Sequence, residues 1–263
     1  KYDGTQQLEW INEKDGINED FEKVFVQGRG YLASHESENI TLSGTFNNAT
    51  SYTWEGLTYN EANDPNDPSS QNLANFYLLG NPFTFNMDMT KASYNNLIEG
   101  VAIVNAEGGY TYVGVNQETT TIPVGDGFFV KVKEPQNATL SYPARSSREK
   151  SSSINLVATS KAGQDNVVIN FDGQAEGFDK LQNFNDEIAT VCVVENDKAY
   201  GIYNCDSDVN EIEVMFSAKE MGSYTISFDV NGEFETVTLV DRMTGVETDM
   251  IEESEYSFIA TSK

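Results

Sequence analysis

The chain has 263 residues, a length that suits one large β-domain or two of ordinary size. Its 42 acidic residues outnumber the 16 Lys and Arg residues, and the net charge of −26 repels phosphate and anionic lipid, so we expect no nucleic-acid partner. No apolar run approaches the roughly 20 residues that cross a bilayer, and we expect no membrane span.

Alternation of apolar and polar residues predicts strands along the whole chain, because the side chains of a strand point alternately to its two faces. Aromatic residues make up 11% of the chain, and they favour strands, as do the recurring Thr, Val and Ile. Glycine turns separate several runs, as at Glu107-Gly108-Gly109, Asn231-Gly232 and Thr244-Gly245. Only residues 87–97 are expected to hold helix, one or two turns of it. The predicted strands are residues 22–27, 39–43, 101–105, 109–115, 167–171, 188–194, 211–216, 223–230, 236–240 and 255–260.

Two polar segments interrupt the strand pattern. Residues 60–72 (NEANDPNDPSSQN) contain two Asp-Pro steps and predict a loop. Residues 143–153 (PARSSREKSSS) lack large apolar side chains and predict a linker. We therefore predict an all-β protein of two β-sandwich-like domains, with a first β-domain at residues 1–143, a linker at 144–153 and a C-terminal β-sandwich at 154–263. The second domain is expected to be Ig-like or jelly-roll-like.

An internal repeat divides the first predicted domain into two related halves. Residues 26–32 (VQGRGYL) and 39–43 (NITLS) correspond to residues 124–130 (VGDGFFV) and 137–141 (NATLS), with one inserted residue. We expect the aligned glycines to share a backbone conformation, and the aligned leucines to point into the core. The aligned residues are Gly28, Gly30, Tyr31 and Leu42 in the first copy, and Gly125, Gly127, Phe128 and Leu140 in the second.

No arrangement of residues predicts catalysis. The Gly-x-Gly turns precede strands, whereas a dinucleotide fingerprint needs a third glycine and a following helix. His35, the single histidine, lies in a polar segment and is expected in an exposed loop. Nothing singles out a glycosidase pair among the 42 acidic residues. We predict that the chain is not an enzyme and uses no cofactor.

Five aromatic residues offer a possible ligand platform: Tyr52, Trp54, Tyr59, Tyr110 and Tyr112. The first three precede the acidic loop, and the last two are one residue apart on one strand face. Sugar-binding modules present such rings, but alternating aromatic residues also fill the cores of β-sandwiches. The pattern leaves both interpretations open and favours packing.

Two acidic segments offer oxygen ligands of the kind that calcium prefers. One contains Asp64 and Asp67, and the other contains Asp172 and Asp179. Neither has the spacing of a recognised calcium loop, so a structural calcium ion is an open alternative.

Cys192 and Cys205 are the two cysteines, and they flank a predicted hairpin that turns at Asn196-Asp197. This turn places Cys192 opposite Gly201, so that Cys205 lies roughly 13 Å from it at the rise of a strand. A disulfide tolerates Cα atoms at most about 7 Å apart. We therefore predict two free thiols.

Several segments resemble modules of secreted Bacteroidetes proteins. Residues 77–83 (YLLGNPF), 100–105 (GVAIVN) and 122–131 (IPVGDGFFVK) resemble a module with strands of the form W-N-L-I/V-G-N-P, I-Y-V-W and G-x-G-F-F-V, in this order. The following β-sandwich of those proteins carries G-F-D and V-x-L-x-D-x-x-T-G-x-x-x-D-L … Y-x-F-x-A. Residues 176–181 (EGFDKL), 237–250 (VTLVDRMTGVETDM) and 256–260 (YSFIA) resemble these patterns.

Such modules typically form the C-terminal parts of large exported proteins, some of them associated with type IX secretion. The resemblance implies an extracellular or cell-surface location, and we expect any export signal to precede Lys1. It implies a non-catalytic structural or interaction module for display, attachment or adhesion, with an unknown protein or glycan as partner. The alternative is a carbohydrate-binding accessory module of a secreted enzyme, which the five aromatic residues motivate.

Overall fold

The computed structural model of the chain describes residues 26–32, 44–45, 47–59, 75–117, 121–144, 151–173 and 177–261. Within them the protein is all-β, as predicted. Residues 87–97 form two short strands around a single 3₁₀ turn, Met89–Lys91, which Asp88 caps by accepting a hydrogen bond from the backbone N–H of Thr90. The first nine strands are β1 (Tyr52–Leu57), β2 (Phe76–Gly80), β3 (Met87–Asp88), β4 (Ser93–Asn95), β5 (Val101–Val104), β6 (Tyr110–Val113), β7 (Thr121–Ile122), β8 (Gly127–Lys131) and β9 (Ala138–Tyr142).

The remaining strands begin at the end of the predicted linker. They are β10 (Ser152–Ser160), β11 (Gly163–Phe171), β12 (Phe178–Asp179), β13 (Thr190–Glu195), β14 (Lys198–Cys205), β15 (Val214–Ser217), β16 (Gly222–Asn231), β17 (Thr238–Asp241), β18 (Val246–Asp249) and β19 (Glu255–Ala260). Strand β10 begins at Ser152, so the last two residues of the predicted linker belong to a strand. The predicted strands at 22–27 and 39–43 lie outside the described residues, apart from Val26 and Gln27, which are not in a strand.

Two compact units make up the chain. The first comprises Lys1–Val101 and Thr119–Arg148, and the second comprises Ala102–Glu118 and Glu149–Lys263. The second unit thus takes in residues 102–118, which the sequence analysis assigns to the first domain. The later division, between Arg148 and Glu149, falls within the predicted linker.

Short sheets form the first unit. Strand β9 pairs with β1 on one side and β4 on the other, and β8 pairs with β2, all antiparallel. Along β9 the buried residues alternate with partly exposed ones, since successive side chains point to opposite faces. Leu140 is buried and Thr139 is partly exposed, as this period predicts.

The two glycine turns of the predicted repeat share a conformation. Gly28 has a φ of 75° and Gly125 a φ of 86°. An equivalent backbone hydrogen bond closes each turn: Arg29 N–H donates to Val26 O, and Asp126 N–H donates to Pro123 O. Phe128 is buried, whereas its counterpart Tyr31 is partly exposed. The returning strand of the first copy, residues 39–43, lies outside the described residues, so the repeat stays a prediction.

A curled sheet dominates the second unit. Its strand order is β15-β13-β14-β11-β10-β16-β19, with β12 paired to β14, and β11 runs parallel to β14. Phe216 on β15 and Phe258 on β19 have ring centroids 5.1 Å apart, although their strands are at opposite ends of that order. The sheet therefore wraps around one apolar core. The buried members of this core are Ile154, Leu156, Ala158, Val167, Ile169, Val191, Val193, Cys205, Ile226 and Met250.

The hairpin formed by β13 and β14 has the predicted register. Val193 pairs with Tyr200, and the turn residues Asn196 and Asp197 both have positive φ. Cys192 and Cys205 are free and buried, as predicted. Burial raises the pKa of the Cys205 thiol to about 11, so that neutral thiol predominates at physiological pH.

Candidate functional site

Most of the aromatic residues of the predicted platform are buried. Trp54, Tyr110 and Tyr112 are buried, and only Tyr52 and Tyr59 are partly exposed. A ring that stacks on a sugar must present its face to solvent, so the three buried rings act in packing. For these three residues the platform interpretation is wrong, and for Tyr52 and Tyr59 it stays a prediction.

Trp54 shows why these rings turn inward. Its indole Nε1 donates a hydrogen bond of 2.7 Å to the carbonyl of Gly28, and its ring meets that of Phe128 edge to face at 5.9 Å. Tyr52 packs edge to face against Trp54 at 4.9 Å, and its hydroxyl donates to the carbonyl of Gln27 at 2.9 Å. The polar atoms of both rings are thus satisfied by the chain itself.

Tyr112 is tightly packed in the second unit. Its ring lies directly over the backbone of Gly201 on β14, where an added Cβ would come within 2.1 Å of Tyr112 Cε1. The ring of Phe178 on β12 meets it edge to face at 5.9 Å. A glycine is required at position 201 because no side chain leaves room for the tyrosine.

Each polar atom of Tyr112 also has a partner. Its phenolic oxygen accepts a hydrogen bond of 2.6 Å from the backbone N–H of Leu181. The side chain of Asn166 on β11 accepts from Tyr112 N–H at 2.7 Å and donates to Tyr112 O at 2.9 Å. The Asn166 amide thereby makes the two backbone hydrogen bonds with Tyr112 that a neighbouring strand would otherwise make.

A buried ion pair lies against the same ring. Lys180 Nζ is 2.7 Å from Asp165 Oδ1, and the exposed fractions of the two side chains are 4% and 0%. The ammonium also donates to Asn166 O at 2.8 Å and lies 4.4 Å from the centroid of the Tyr112 ring. The second carboxylate oxygen, Asp165 Oδ2, accepts from Val191 N–H at 2.9 Å. We call Tyr112, Asp165, Asn166, Lys180 and Gly201 the Tyr112 cluster.

Burial opposes both charges of this pair. Desolvation raises the pKa of Asp165 and lowers the pKa of Lys180, and the attraction between the two groups acts in the opposite direction on each. A charge removed from water is costly unless it is paired and hydrogen-bonded, and here each charged group has several partners. Chemically, the site holds an amine against a carboxyl group in a space that excludes water.

No sequence pattern pairs Asp165 with Lys180. Lys180 lies in the segment EGFDKL, which was singled out only by its resemblance to the G-F-D pattern. The sequence offers only the apolar run Val167-Val168-Ile169 after Asp165, and the structure shows that all six residues from Asp165 to Asn170 are buried. A charged residue at the start of a strand buried on both faces requires a buried partner.

The remaining predicted site residues lie partly outside the described residues. His35 and the loop with Asp64 and Asp67 lie outside the described residues. Asp179 makes an ion pair with Lys198 at 3.2 Å. Among the residues that the structure describes, no three His, Cys, Asp or Glu side chains converge as metal ligands. Structural calcium stays a prediction.

The β17–β18 hairpin presents apolar side chains to solvent. It forms a two-stranded sheet of its own, and its turn is closed by Gly245 N–H donating to Asp241 O at 2.7 Å. Val240, Met243 and Val246 have exposed fractions of 50%, 88% and 44%. Leu239 faces the other way and packs against the core of the curled sheet. The hairpin therefore packs on the core through Leu239 and exposes three apolar side chains among the polar residues of its turn.

No helix within the described residues has the length and apolar character needed to cross a bilayer. Comparison of the chain with models of protein families, with curated proteins and with solved structures gives no match.

Proposed function

We propose that this chain is a non-catalytic interaction module at the C-terminal end of an exported bacterial surface protein, of the kind found in Bacteroidetes. Its role is attachment or adhesion outside the cell, through contact with a protein or glycan at the cell surface. The observation that carries the proposal is the apolar end of the β17–β18 hairpin, formed by Val240, Met243 and Val246. Large apolar side chains in contact with water are stabilised when a partner covers them.

Two further features support this role. Residues 237–250, which contain the hairpin, carry the most specific part of the sequence resemblance to exported modules. Val237 and Leu239 also pack against the core of the curled sheet, and anchoring of this kind reduces the entropy lost on binding.

The test compares binding of the labelled wild-type chain and of a hairpin variant to intact Bacteroidetes cells. The variant carries Val240→Ser, Met243→Ser and Val246→Ser. A matched control carries Met221→Ser and Ile259→Ser, two residues that are 69% and 70% exposed outside the hairpin. We expect the wild type and the control to bind, and the hairpin variant to lose at least tenfold in affinity. Absence of wild-type binding would contradict the proposal, and equal binding of both variants would remove the hairpin from it.

The carbohydrate-binding alternative now rests on two rings. Tyr52 and Tyr59 are the members of the platform that remain partly exposed. A glycan array probed with the wild type and with Tyr52→Ala and Tyr59→Ala variants separates the two functions. A glycan signal that both substitutions abolish would favour the accessory module, whereas uniform silence would remove it.

A further inference from the structure

The contact between Lys180 and Asp165 is short, buried and isolated from water. Nζ of Lys180 lies 2.7 Å from Oδ1 of Asp165, and both side chains are almost fully enclosed. The Tyr112 ring covers the ammonium on one side, and the backbone carbonyl of Asn166 holds it on another. The reacting groups of an amide condensation are thus already in contact.

We propose that Lys180 and Asp165 form a covalent crosslink, an isopeptide bond between Nζ of Lys180 and Cγ of Asp165, with release of one water molecule. The crosslink joins β11 to the segment that follows β12. This proposal is independent of the role of the β17–β18 hairpin.

The condensation forms one amide bond and releases one water molecule. A proton moves from the Lys180 ammonium along the hydrogen bond to Asp165 Oδ1, which leaves a neutral amine beside a neutral carboxyl group. The lone pair of Nζ forms a bond to Cγ, and negative charge collects on Oδ2, where Val191 N–H donates a hydrogen bond at 2.9 Å. A second proton passes from Nζ to Oδ1, the Cγ–Oδ1 bond breaks and water leaves. The third proton stays on the new amide nitrogen.

The surroundings favour this reaction over a lasting ion pair. Burial lowers the pKa of Lys180 and raises the pKa of Asp165, which brings the neutral, reactive forms within reach. Groups held in reactive contact behave as if they were present at about 10⁵–10⁸ M. The product carries no charge, so the desolvation cost of two buried ions disappears. Exclusion of water also slows hydrolysis of the amide.

The first test is the intact mass of the denatured wild-type protein. We expect a mass below that of the sequence by one water molecule, and fragmentation of a proteolytic digest to locate a branched peptide that joins positions 165 and 180. A full sequence mass would overturn the proposal. So would loss of water located elsewhere, such as a cyclised aspartate at Asp126-Gly127 or Asp172-Gly173.

Three variants test whether Lys180 and Asp165 condense to an amide. Lys180→Arg removes the attacking amine and should restore the full mass. Asp165→Asn offers an amide in place of the carboxyl group and should lose ammonia instead of water, an outcome that a folding defect does not produce. Lys198→Arg alters the exposed pair with Asp179 and should keep the loss of water. A loss of water that persists in Lys180→Arg would also overturn the proposal.

Discussion

The Tyr112 cluster and the β17–β18 hairpin belong to the same compact unit. The cluster places polar groups in the interior, whereas the hairpin places apolar groups at the surface. The cluster buries the nitrogen of Lys180, the carboxyl group of Asp165 and the amide of Asn166, each with hydrogen-bond partners. The hairpin exposes Val240, Met243 and Val246. In both regions the side chains depart from the usual rule of apolar inside and polar outside.

The two departures have different physical consequences. Buried polar groups are stable only while their partners are present, so the cluster tolerates few substitutions. Exposed apolar side chains contribute little to folding, and substitution there leaves the fold intact. We therefore expect changes in the cluster to affect stability, and changes at the hairpin end to affect binding.

The largest expected effect comes from Lys180→Met. The substitution leaves the Asp165 carboxylate buried with neither a cation nor a crosslink, and removing one member of a buried pair costs about 3–5 kcal/mol. Urea unfolding followed by circular dichroism measures the loss. The double variant Lys180→Met, Asp165→Leu removes both charges and should recover part of the stability. Equal stability of the single and double variants would show that the pair is not coupled.

Gly201→Ala should have the next largest effect. The new methyl group would overlap the Tyr112 ring, and overpacking of this kind costs about 1–3 kcal/mol. Gly222→Ala is the matched control in another strand of the same sheet, because a Cβ there meets nothing within 4 Å. Thermal unfolding of both variants checks the difference. A neutral Gly201→Ala would mean that the ring does not lie against β14.

A smaller effect is expected at the hairpin turn. Gly245 has a φ of 74°, and an L-residue in the left-handed region costs roughly 1–2 kcal/mol. Gly245→Ala should therefore destabilise the turn, whereas Met243→Ser, two residues away, should change stability by no more than about 0.5 kcal/mol. Hydrogen exchange of the β17 and β18 amides distinguishes the two variants. Faster exchange in Met243→Ser than in Gly245→Ala would contradict this view of the hairpin.

The smallest effect concerns pH. Partial desolvation by itself raises the pKa of Asp241, but hydrogen bonds from Tyr256, Thr244 and the backbone of Met243 together bring it below the ordinary value of 3.8. A carboxylate with a lowered folded-state pKa contributes stability above the unfolded value, and this contribution is lost as the pH falls through the folded-state pKa. The Asp241 carboxyl carbon should titrate below 3.8 by NMR. Tyr256→Phe removes one hydrogen bond and should move the midpoint upward; an unchanged midpoint would count against the role of Tyr256.

Local patterns predicted the elements of this fold well. In the β13–β14 hairpin, Asn196 and Asp197 adopt the positive φ that a two-residue turn demands, and the register of the whole pair follows from that turn. Period-two alternation likewise predicted β16 and β19, and along β19 partly buried residues alternate with exposed ones. Such information lies within a few neighbouring residues and needs no knowledge of the rest of the chain.

The Tyr112 cluster depends on contacts between distant parts of the chain, which no local pattern contains. Tyr112 hydrogen-bonds Leu181 across 69 positions, and Asn166 binds Tyr112 across 54. Alternation placed Tyr110 and Tyr112 on one strand face, but only the packing against Gly201 decided that this face is core and not a ligand platform. The sequence by itself determined strands, turns and hairpin register, since these are set by backbone preferences and side-chain period. The tertiary structure alone decided which polar groups meet in the interior, because burial depends on everything that packs around them.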